Sequence, residues 1–488
     1  MTHTPFFPAW KCRLAPMGRR LSQALAQLGS CTLCRLEDRF TLLLPAALFV
    51  KAERGTNSRD SIYTQGRTFW CFLWQCLNVG APGREVVRQL QALLELSGAP
   101  PISSEDGAYC LARQRLPESL FVQALQATAA ACEQILAPMD FLAGRRVKVV
   151  DGTIVTLADT PQNQQAYPQV HSMKKGCSFP LMRVVAIFSL LSGALLAAAC
   201  GSHHDSEFRL FYRLVGQLAK GDIVMADRGF GNYPMLALLR SLGVDLIARS
   251  SRKVDGRRRR QRLGHNDWWV IWKKSPNRSA VIPPEQFEAL PAELTVRIVR
   301  GSLHQNGFRV RQITVVTTLL DARKYPAAEI LRAYLRRWRM ELCLNDIKTT
   351  LGMDMLRCKS PAMVRKEMFM HLIVHNLVRH TMGSAASLHG AQFERLSFKG
   401  TVDALRQFAQ AMAQARSKKK RRDLWDYLLR ILVSDLVPER SGRVEPRAVK
   451  RRSKKYDRLN VARHLYKDRP KRHTRRRLSR LRRLRLLI

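Results

Sequence analysis

The stretch YLRRWRMELCLNDIK, residues 334–348, carries the pattern around which the chain is organised. Tyr334, Arg337, Glu341 and Lys348 stand at offsets of 0, 3, 7 and 14 positions. At ~100° per residue these offsets place the four groups within about 60° of one another on one helical stripe. An acid four positions after an arginine is ordinarily its ion-pair partner. The stretch alone therefore predicts a helix with one polar face, and further acids must decide whether that face is functional.

Two aspartates upstream occur in a region whose period is that of β-strands. RRVKVVDGTIVTL, from Arg145, is predicted as a strand interrupted at Asp151, and IVMADRGF as a strand that ends in Asp227. LMRVVAIFSL and ALLAAAC are predicted as the strands between them. We expect both aspartates to end apolar strands, although Asp before Gly, or before Arg-Gly, is also good turn chemistry. Three strands followed by helix–strand–helix–strand predict a mixed sheet flanked by helices, an α/β fold.

Composition changes divide the chain into four predicted regions. Residues 1–140 have apolar positions at helical spacing and are predicted as a helical, DNA-binding domain. Residues 141–249 and 312–385 are predicted as the catalytic core, and residues 250–311, with DWWVIW and other alternating segments, as a β-rich insertion. Residues 386–488 are predicted as helices followed by a basic tail that is disordered or folds on nucleic acid.

The charge of the chain points to a polyanionic partner. The net charge is +45, and residues 416–488 hold 28 Lys+Arg against 7 Asp+Glu, a net of +21. A clustered surplus of this size favours nucleic acid over a merely cationic surface.

Eleven scattered cysteines do not form a disulfide framework, and the apolar run at 184–200 has serine and glycine at its centre. We therefore expect a reduced, cytoplasmic protein with no membrane segment.

The three acids together suggest a chemistry that none of them suggests alone. Two acids on strands and one on a helix can converge at the rim of a sheet, where carboxylate oxygens suit Mg²⁺. Two such ions can activate an attacking oxygen and stabilise a leaving one in an in-line displacement at phosphorus. Cations on the same stripe as Glu341 would then hold phosphates of a bound strand.

VVDGT, MADRGF and Y-x2-R-x3-E-x6-K resemble the three motifs of DDE transposases of the insertion-sequence-four family, whose signature is Tyr, Arg, Glu and Lys. The signature matches at all four positions, and the acids are separated by 76 (227−151) and 114 (341−227) residues. The family has a ribonuclease-H-like core with a β-strand domain inserted before the glutamate, where the β-rich stretch at 250–311 lies. The resemblance covers roughly residues 35–455.

The resemblance implies an enzyme of DNA transposition and a role for each matching residue. Asp151, Asp227 and Glu341 would hold two Mg²⁺ ions, or Mn²⁺, for cleavage and strand transfer at the ends of an insertion sequence. The resemblance also implies that two copies meet in a DNA synapse, as a homodimer. The remaining implied roles are contacts to DNA phosphates, by Tyr334, Arg337 and Lys348, and stacking on a flipped base, by Trp268, Trp269 or Trp272.

Alternatives stay open from the residues alone. A metal-dependent nuclease without strand transfer would need the same acids, and a non-catalytic DNA-binding protein could derive from a transposase. His203, His204 and Glu207 could form a metal site, but a loop that caps the following helix is the preferred interpretation. Glu207 is expected near the active site. The histidines at 371, 375 and 380 are interpreted as packing residues.

Overall fold

The computed structural model describes residues 37–50, 61–96, 98–138, 140–250, 260–302, 312–415 and 417–438, and Leu465. The sequence positions 31 and 34 (Cys-x-x-Cys), most of the basic run at 257–260 and nearly all of the basic tail lie outside these residues. The chain divides into two compact units, the first formed by residues 1–120 and 405–427, the second by residues 121–404 and 428–488.

The described α-helices are α1 Glu37–Phe40, α2 Gln65–Leu77, α3 Gly83–Leu96, α4 Gly107–Arg115, α5 Glu118–Gln134, α6 Pro161–Ala166, α7 Glu207–Tyr212, α8 Tyr233–Ser241, α9 Pro284–Glu288, α10 Ala327–Arg336, α11 Trp338–Asn345, α12 Pro361–His389, α13 Phe398–Gln414 and α14 Lys418–Ser434. The strands are β1 Val147–Leu157, β2 Leu181–Ser189, β3 Leu195–Ser202, β4 Ile223–Ala226, β5 Asp245–Arg249, β6 Arg260–Gly264, β7 Asp267–Lys273, β8 Glu293–Ser302, β9 Gln312–Thr317 and β10 Met355–Leu356.

The first unit is helical around its own small core. Apolar positions of α2, α3 and α4 meet in a buried cluster that includes Val86, Leu90 and Tyr109. Arg113 lies over the Tyr109 ring at 4.8 Å and donates to Gln75 Oε1 at 3.1 Å. Arg113 therefore takes part in packing within the unit, whereas the neighbouring Arg115 is exposed.

The second unit is built on one mixed sheet with the order β3-β2-β1-β4-β5-β9-β8-β7-β6. β1, β2 and β3 are antiparallel, whereas β4 and β5 run parallel to β1. The apolar run at 184–200 forms β2 and β3, joined through a turn in which Gly193 has φ +69°. The α/β prediction and the paired-strand interpretation of that run are therefore confirmed. The strands of the predicted insertion continue the sheet beyond β5 through β9.

The prediction that Asp151 ends a strand was wrong. β1 runs through Asp151 and Gly152 without a break, because its antiparallel ladder with β2 continues across them and pairs Asp151 with Ala186. On its other side β1 pairs with β4 only at residues 147–149 and with β10 only at residues 156–157. Among the described strands, none covers the segment between these two pairings, and the sheet has a gap beside Asp151.

The predicted single helix over 334–348 is three consecutive helical segments. α10 ends at Arg336, α11 runs over Trp338–Asn345, and a π-helical turn spans Asp346–Thr350. Arg337 keeps right-handed helical angles (φ −52°, ψ −34°), so the chain direction is maintained. Wider turns of this kind are frequent at functional sites. The π turn changes the angular register between Glu341 and Lys348 from the value that a regular α-helix would give.

The 29-residue helix α12 lies against the sheet and is buried along most of its length. Its Asn376 accepts from the Leu195 backbone N–H at 2.8 Å and donates to the Leu195 carbonyl at 2.9 Å, which ties the helix to β3. His371 and His375 are buried, and burial lowers their pKa values to about 4 and about 3. Both are uncharged packing residues at neutral pH. No helix in the described part of the chain combines the length and the apolar character needed to cross a bilayer.

Candidate active site

The gap in the sheet beside Asp151 opens into a cleft of about 600 Å³. The lining of the cleft comes from β1, from the residue after β4 and from the helical segment that begins after α10. The lining residues are Asp151, Gly152, Asp227, Arg337, Glu341, Leu344, Asn345, Lys348, Thr349 and Asp354. All three predicted acids and both predicted cations therefore meet in one cleft, although the chain separates the first and last of these residues by 197 positions (348−151).

Asp151 lies mostly buried in the floor of the cleft, with one fifth of its side chain exposed. Its Oδ1 accepts the Gly152 backbone N–H at 2.9 Å. Burial raises the pKa of the Asp151 carboxyl to about 6, and the charges of Glu341 and Glu207 act in the same direction, against the Gly152 bond and Arg337. A cation that enters the cleft would stabilise the ionised form of this carboxylate.

Asp227 is the first residue after β4, as predicted. β4 is buried at all four of its positions, and the chain then turns through a single 3₁₀ segment, Arg228–Phe230. The Phe230 N–H donates to the Asp227 carbonyl at 3.1 Å, so the backbone closes the turn and leaves the carboxylate exposed. Turn chemistry and a place in the cleft are thus compatible at this position.

Arg337 joins two of the three acids. Its Nη2 lies 2.8 Å from Glu341 Oε1, in the predicted (i, i+4) pair, and its Nη1 lies 3.7 Å from Asp151 Oδ2. The guanidinium also lies over the ring of Tyr334, 5.7 Å from its centroid. Sequence reasoning identified the pair with Glu341 but could not see that the same guanidinium reaches a strand residue 186 positions away (337−151).

Tyr334 does not line the cleft and lies buried beneath it, with 5% of its surface exposed. Its hydroxyl makes no hydrogen bond of standard geometry within the described residues. Burial raises the pKa of the phenol, and the charge of Asp227 adds to the shift. Tyr334 therefore stays uncharged beside the Arg337 guanidinium.

Lys348 reaches the cleft from the π-helical turn. The lining also includes three polar residues that the sequence analysis did not single out: Asn345, Thr349 and Asp354. Asn345 follows Glu341 at i+4, a spacing that could have identified it on a helix. Asp354 is placed by contacts that have no local signal, because its carbonyl accepts the Thr156 N–H at 2.9 Å.

The tryptophans of β7 are not among the residues that line this cleft. Trp272 is buried in the core with 2% of its surface exposed, and Trp268 packs against the same core cluster. The Trp269 indole donates to the Leu320 carbonyl at 3.0 Å. Trp272 therefore has the packing role that alternating strand aromatics usually have, while the roles of Trp268 and Trp269 toward DNA stay predictions.

The histidine rings beside β3 lie close together and are tilted against one another. His204 lies 3.7 Å from His203 and 4.2 Å from His171, measured between ring centroids. Ser206 caps α7 by accepting the Arg209 N–H at 3.1 Å, as the preferred loop-and-cap interpretation expects. Among the residues that the structure describes, no three His, Cys, Asp or Glu side chains stand close enough together to hold a metal ion by themselves, neither here nor among the acids of the cleft.

Residues 142–377 match the family model described as "Transposase DDE domain", and this range contains all three acids of the cleft. This match supports a DDE transposase. Enzymes of this family generally use divalent metal ions and act on DNA.

The chain is 28% identical over 399 residues to the "Transposase InsG for insertion sequence element IS4" of Escherichia coli strain K12. The alignment covers 79% of this chain and 85% of that relative. The protein is a transposase of the insertion-sequence-four type, as its motifs predicted. A solved structure of a piggyBac transposase synaptic complex with hairpin DNA matches with a TM-score of 0.37 and 10% identity, over 87% of this chain and 83% of that one.

Proposed function

We propose that the cleft is the site at which this transposase cuts and joins DNA, with Asp151, Asp227 and Glu341 as its metal-binding acids. The observation that carries the proposal is their convergence, together with Arg337 and Lys348, on one cleft of about 600 Å³. Cations beside carboxylates in an open cleft suit a substrate that brings phosphates and divalent ions together. Magnesium is the expected ion, two per site, with manganese as a substitute.

The donor chemistry of the cleft suits such ions, although Arg337 holds two of the acids and the three are not grouped around one ion. The acids offer only hard oxygen ligands, which Mg²⁺ prefers, and the cleft has room for waters and phosphate oxygens beside them. Asp151 is partly buried and Asp227 is exposed, so the two acids differ in their access to solvent. When bound, the ions would lower the pKa of an attacking hydroxyl or water and neutralise the charge that develops on the leaving oxygen.

The side chains of the chain itself supply position and charge. Lys348 and Arg337 hold the phosphates on either side of the scissile one, and Tyr334 supports the Arg337 guanidinium from below. In the first step a water oxygen bonds to phosphorus, the P–O3′ bond breaks, and the end of the element is left with a 3′-hydroxyl. In strand transfer that hydroxyl attacks a target phosphate, and the bond formed to phosphorus replaces the bond broken.

We further propose a ribonuclease-H-like core for residues 141–249 and 312–385. The order β3-β2-β1-β4-β5, with the first three strands antiparallel and the last two parallel to β1, supports this assignment. Residues 250–311 would be an insertion into that core, residues 1–140 a DNA-binding domain, and residues 386–488 helices with a basic tail. Two copies would act together on the two ends of the element, as a homodimer in a DNA synapse.

The proposal is tested with the purified full chain and a supercoiled plasmid that carries the ends of the chain's own element, in Mg²⁺. Wild type is compared with Asp227→Asn and Glu341→Gln, which keep the side-chain shape and remove the charge. We expect excised and joined DNA from the wild type, and a loss of cleavage of roughly 10³-fold, about 4 kcal/mol of transition-state stabilisation, in each variant.

The matched control is Glu293→Gln, because Glu293 is an exposed acid on β8 whose ion pair with Lys273 is 3.9 Å long. The control should cleave like the wild type, and all four proteins should bind the DNA ends. Nicking without joined products would identify a nuclease instead of a strand-transfer enzyme. Cleavage by Asp227→Asn and Glu341→Gln at the wild-type rate would refute the assignment of these acids.

A further inference from the structure

A further acid, outside the three motifs, lies next to the strand that carries Asp151. Glu207, the first residue of α7, lies against the backbone of Gly152. A Cβ atom built on Gly152 would meet Glu207 Oε1 at 2.8 Å and Cδ at 3.0 Å, closer than real Cβ atoms come to other atoms. The carboxylate therefore occupies the space that any side chain at position 152 would need.

Glu207 is held in this place by the packing of its helix. Ser206 caps α7, and Leu210 and Phe211, on the next turn, are completely buried in the core. The helix packs on β2, which pairs with β1, and on β3, which pairs with β2. Because α7 is anchored on the sheet, the Glu207 carboxylate is kept close to the strand segment that carries Asp151.

The charge of Glu207 reaches Asp151. Gly152 directly follows Asp151 in β1, so the carboxylate that packs on Gly152 is a negative charge beside the strand segment that carries Asp151. Partly buried carboxylates close to one another cost free energy unless a cation compensates them. A side chain at position 152 would have to displace the end of the Glu207 side chain, whereas the strand geometry of β1 would accept it.

We propose that Glu207 is a positioning residue of the active site: it packs on Gly152, fixes Asp151 in the cleft, and strengthens the hold of Asp151 on a divalent cation. This inference rests on the proposed function, because it assigns Asp151 as a metal-binding acid. Partners that orient a metal ligand from behind typically change metal affinity by about 10- to 100-fold when they are removed. Glu207 would act on the reaction through Asp151 and not by contact with DNA.

The test measures binding of Mn²⁺ to the full chain without DNA, by the electron paramagnetic resonance signal of the free ion. Wild type is compared with Glu207→Gln, which removes the charge, and with Glu207→Asp, which keeps it on a shorter side chain. We expect Glu207→Gln to bind Mn²⁺ about 10-fold more weakly and Glu207→Asp to recover part of the loss. Glu293→Gln is the control for removal of an exposed acid, and Asp151→Asn is the reference for loss of the ligand.

A second set of variants tests the contact itself. Gly152→Ala should weaken Mn²⁺ binding in the wild-type chain, because the new methyl group displaces the Glu207 carboxylate. In a Glu207→Ala background the same Gly152→Ala change should have no further effect, since nothing remains to displace. Additive losses in the double variant would contradict the proposed contact.

The outcomes separate this inference from the function on which it rests. Wild-type Mn²⁺ affinity in Glu207→Gln, combined with weakened binding in Asp151→Asn, would overturn the role of Glu207 and leave the three acids in place. Unchanged binding in Asp151→Asn as well would overturn both assignments. Weakened binding in Glu207→Gln and Asp151→Asn, with partial recovery in Glu207→Asp, would establish the positioning role.

Discussion

The second unit contains two arginines that each bind carboxylates, in opposite ways. Arg297 on β8 is fully buried and holds Asp267 through two bonds of 2.8 and 2.6 Å. Its remaining nitrogen, Nη1, donates to the Tyr325 carbonyl at 2.7 Å and to two further carbonyls of the 319–325 segment. Arg337 lies in the cleft and divides its contacts between Asp151 and Glu341, at 3.7 and 2.8 Å.

The two arginines differ in how completely their hydrogen-bonding groups are satisfied. At Arg297 both oxygens of the Asp267 carboxylate and every nitrogen of the guanidinium make hydrogen bonds. No group of the pair is therefore available to bind a ligand. At Arg337 each acid receives one contact, and a third acid, Asp227, lines the same cleft. A closed buried pair is expected to serve stability, whereas an open and partly desolvated group of charges is expected to serve binding and catalysis.

Asp267→Ala should produce the largest effect on stability, because it leaves the Arg297 guanidinium buried without its carboxylate. We expect a loss of about 3–5 kcal/mol in the free energy of unfolding, measured by urea denaturation. The exposed Lys273–Glu293 pair supplies the control, and Glu293→Gln should change stability by less than about 0.5 kcal/mol. A loss of less than about 1 kcal/mol in Asp267→Ala would mean that the buried pair contributes no more than a surface pair.

Arg337→Gln should have a small effect on stability and a large effect on DNA cleavage. Its pair with Glu341 is partly exposed, so the free energy of unfolding should change by no more than about 1 kcal/mol. DNA cleavage should fall roughly 10²-fold, because the proposed contact to phosphate needs the guanidinium fork. Arg337→Lys should recover only part of the activity, since it restores the charge without the fork. A large loss of stability in Arg337→Gln with normal cleavage would assign this arginine to the structural class of Arg297.

Much of this site was predictable, because its members belong to local patterns with strong physical causes. Asp227 follows a run of four buried residues, and the (i, i+4) pair of Arg337 with Glu341 follows from helix geometry. The pairing of β2 with β3 was predictable from an apolar run interrupted by Ser189, Ser192 and Gly193. Each of these features depends on residues that are close together in the sequence, within about one helical turn or the length of one strand.

The parts that could not be predicted depend on contacts between distant segments. Asp151 continues within its strand because β2 pairs with it, and no local signal in VVDGT distinguishes that from a turn. Asp267 and Arg297 read as ordinary strand residues until the sheet brings them together. The π-helical turn at Lys348 and the approach of Glu207 to Gly152 likewise arise from packing on the sheet.

Asp151→Asn should give the smallest of the expected changes, and an increase in stability. The pKa of Asp151 is about 6 in the folded chain against 3.8 for an ordinary aspartate. The folded protein therefore binds this proton more tightly than the unfolded chain, and the wild type loses stability as pH rises from about 4 to about 6. Two pKa units correspond to about 3 kcal/mol, and the partial exposure of the side chain to solvent reduces the expected gain to about 2 kcal/mol.

Above pH 6.5 the Asp151→Asn chain should thus unfold with a free energy about 2 kcal/mol higher than the wild type, and below pH 4 the two should be equal. Urea denaturation at pH 4, 5, 6 and 7.5 measures the difference, and Glu293→Gln should follow the wild type at every pH. An advantage that is constant with pH would show that the amide packs better, and not that the carboxylate is held at a cost. A pH-dependent gain in stability, in a variant that no longer cleaves DNA, would show that the ionised Asp151 carboxylate destabilises the folded chain. The cleft would then hold a charge that is needed for activity at a cost in stability, unlike the buried Arg297–Asp267 pair.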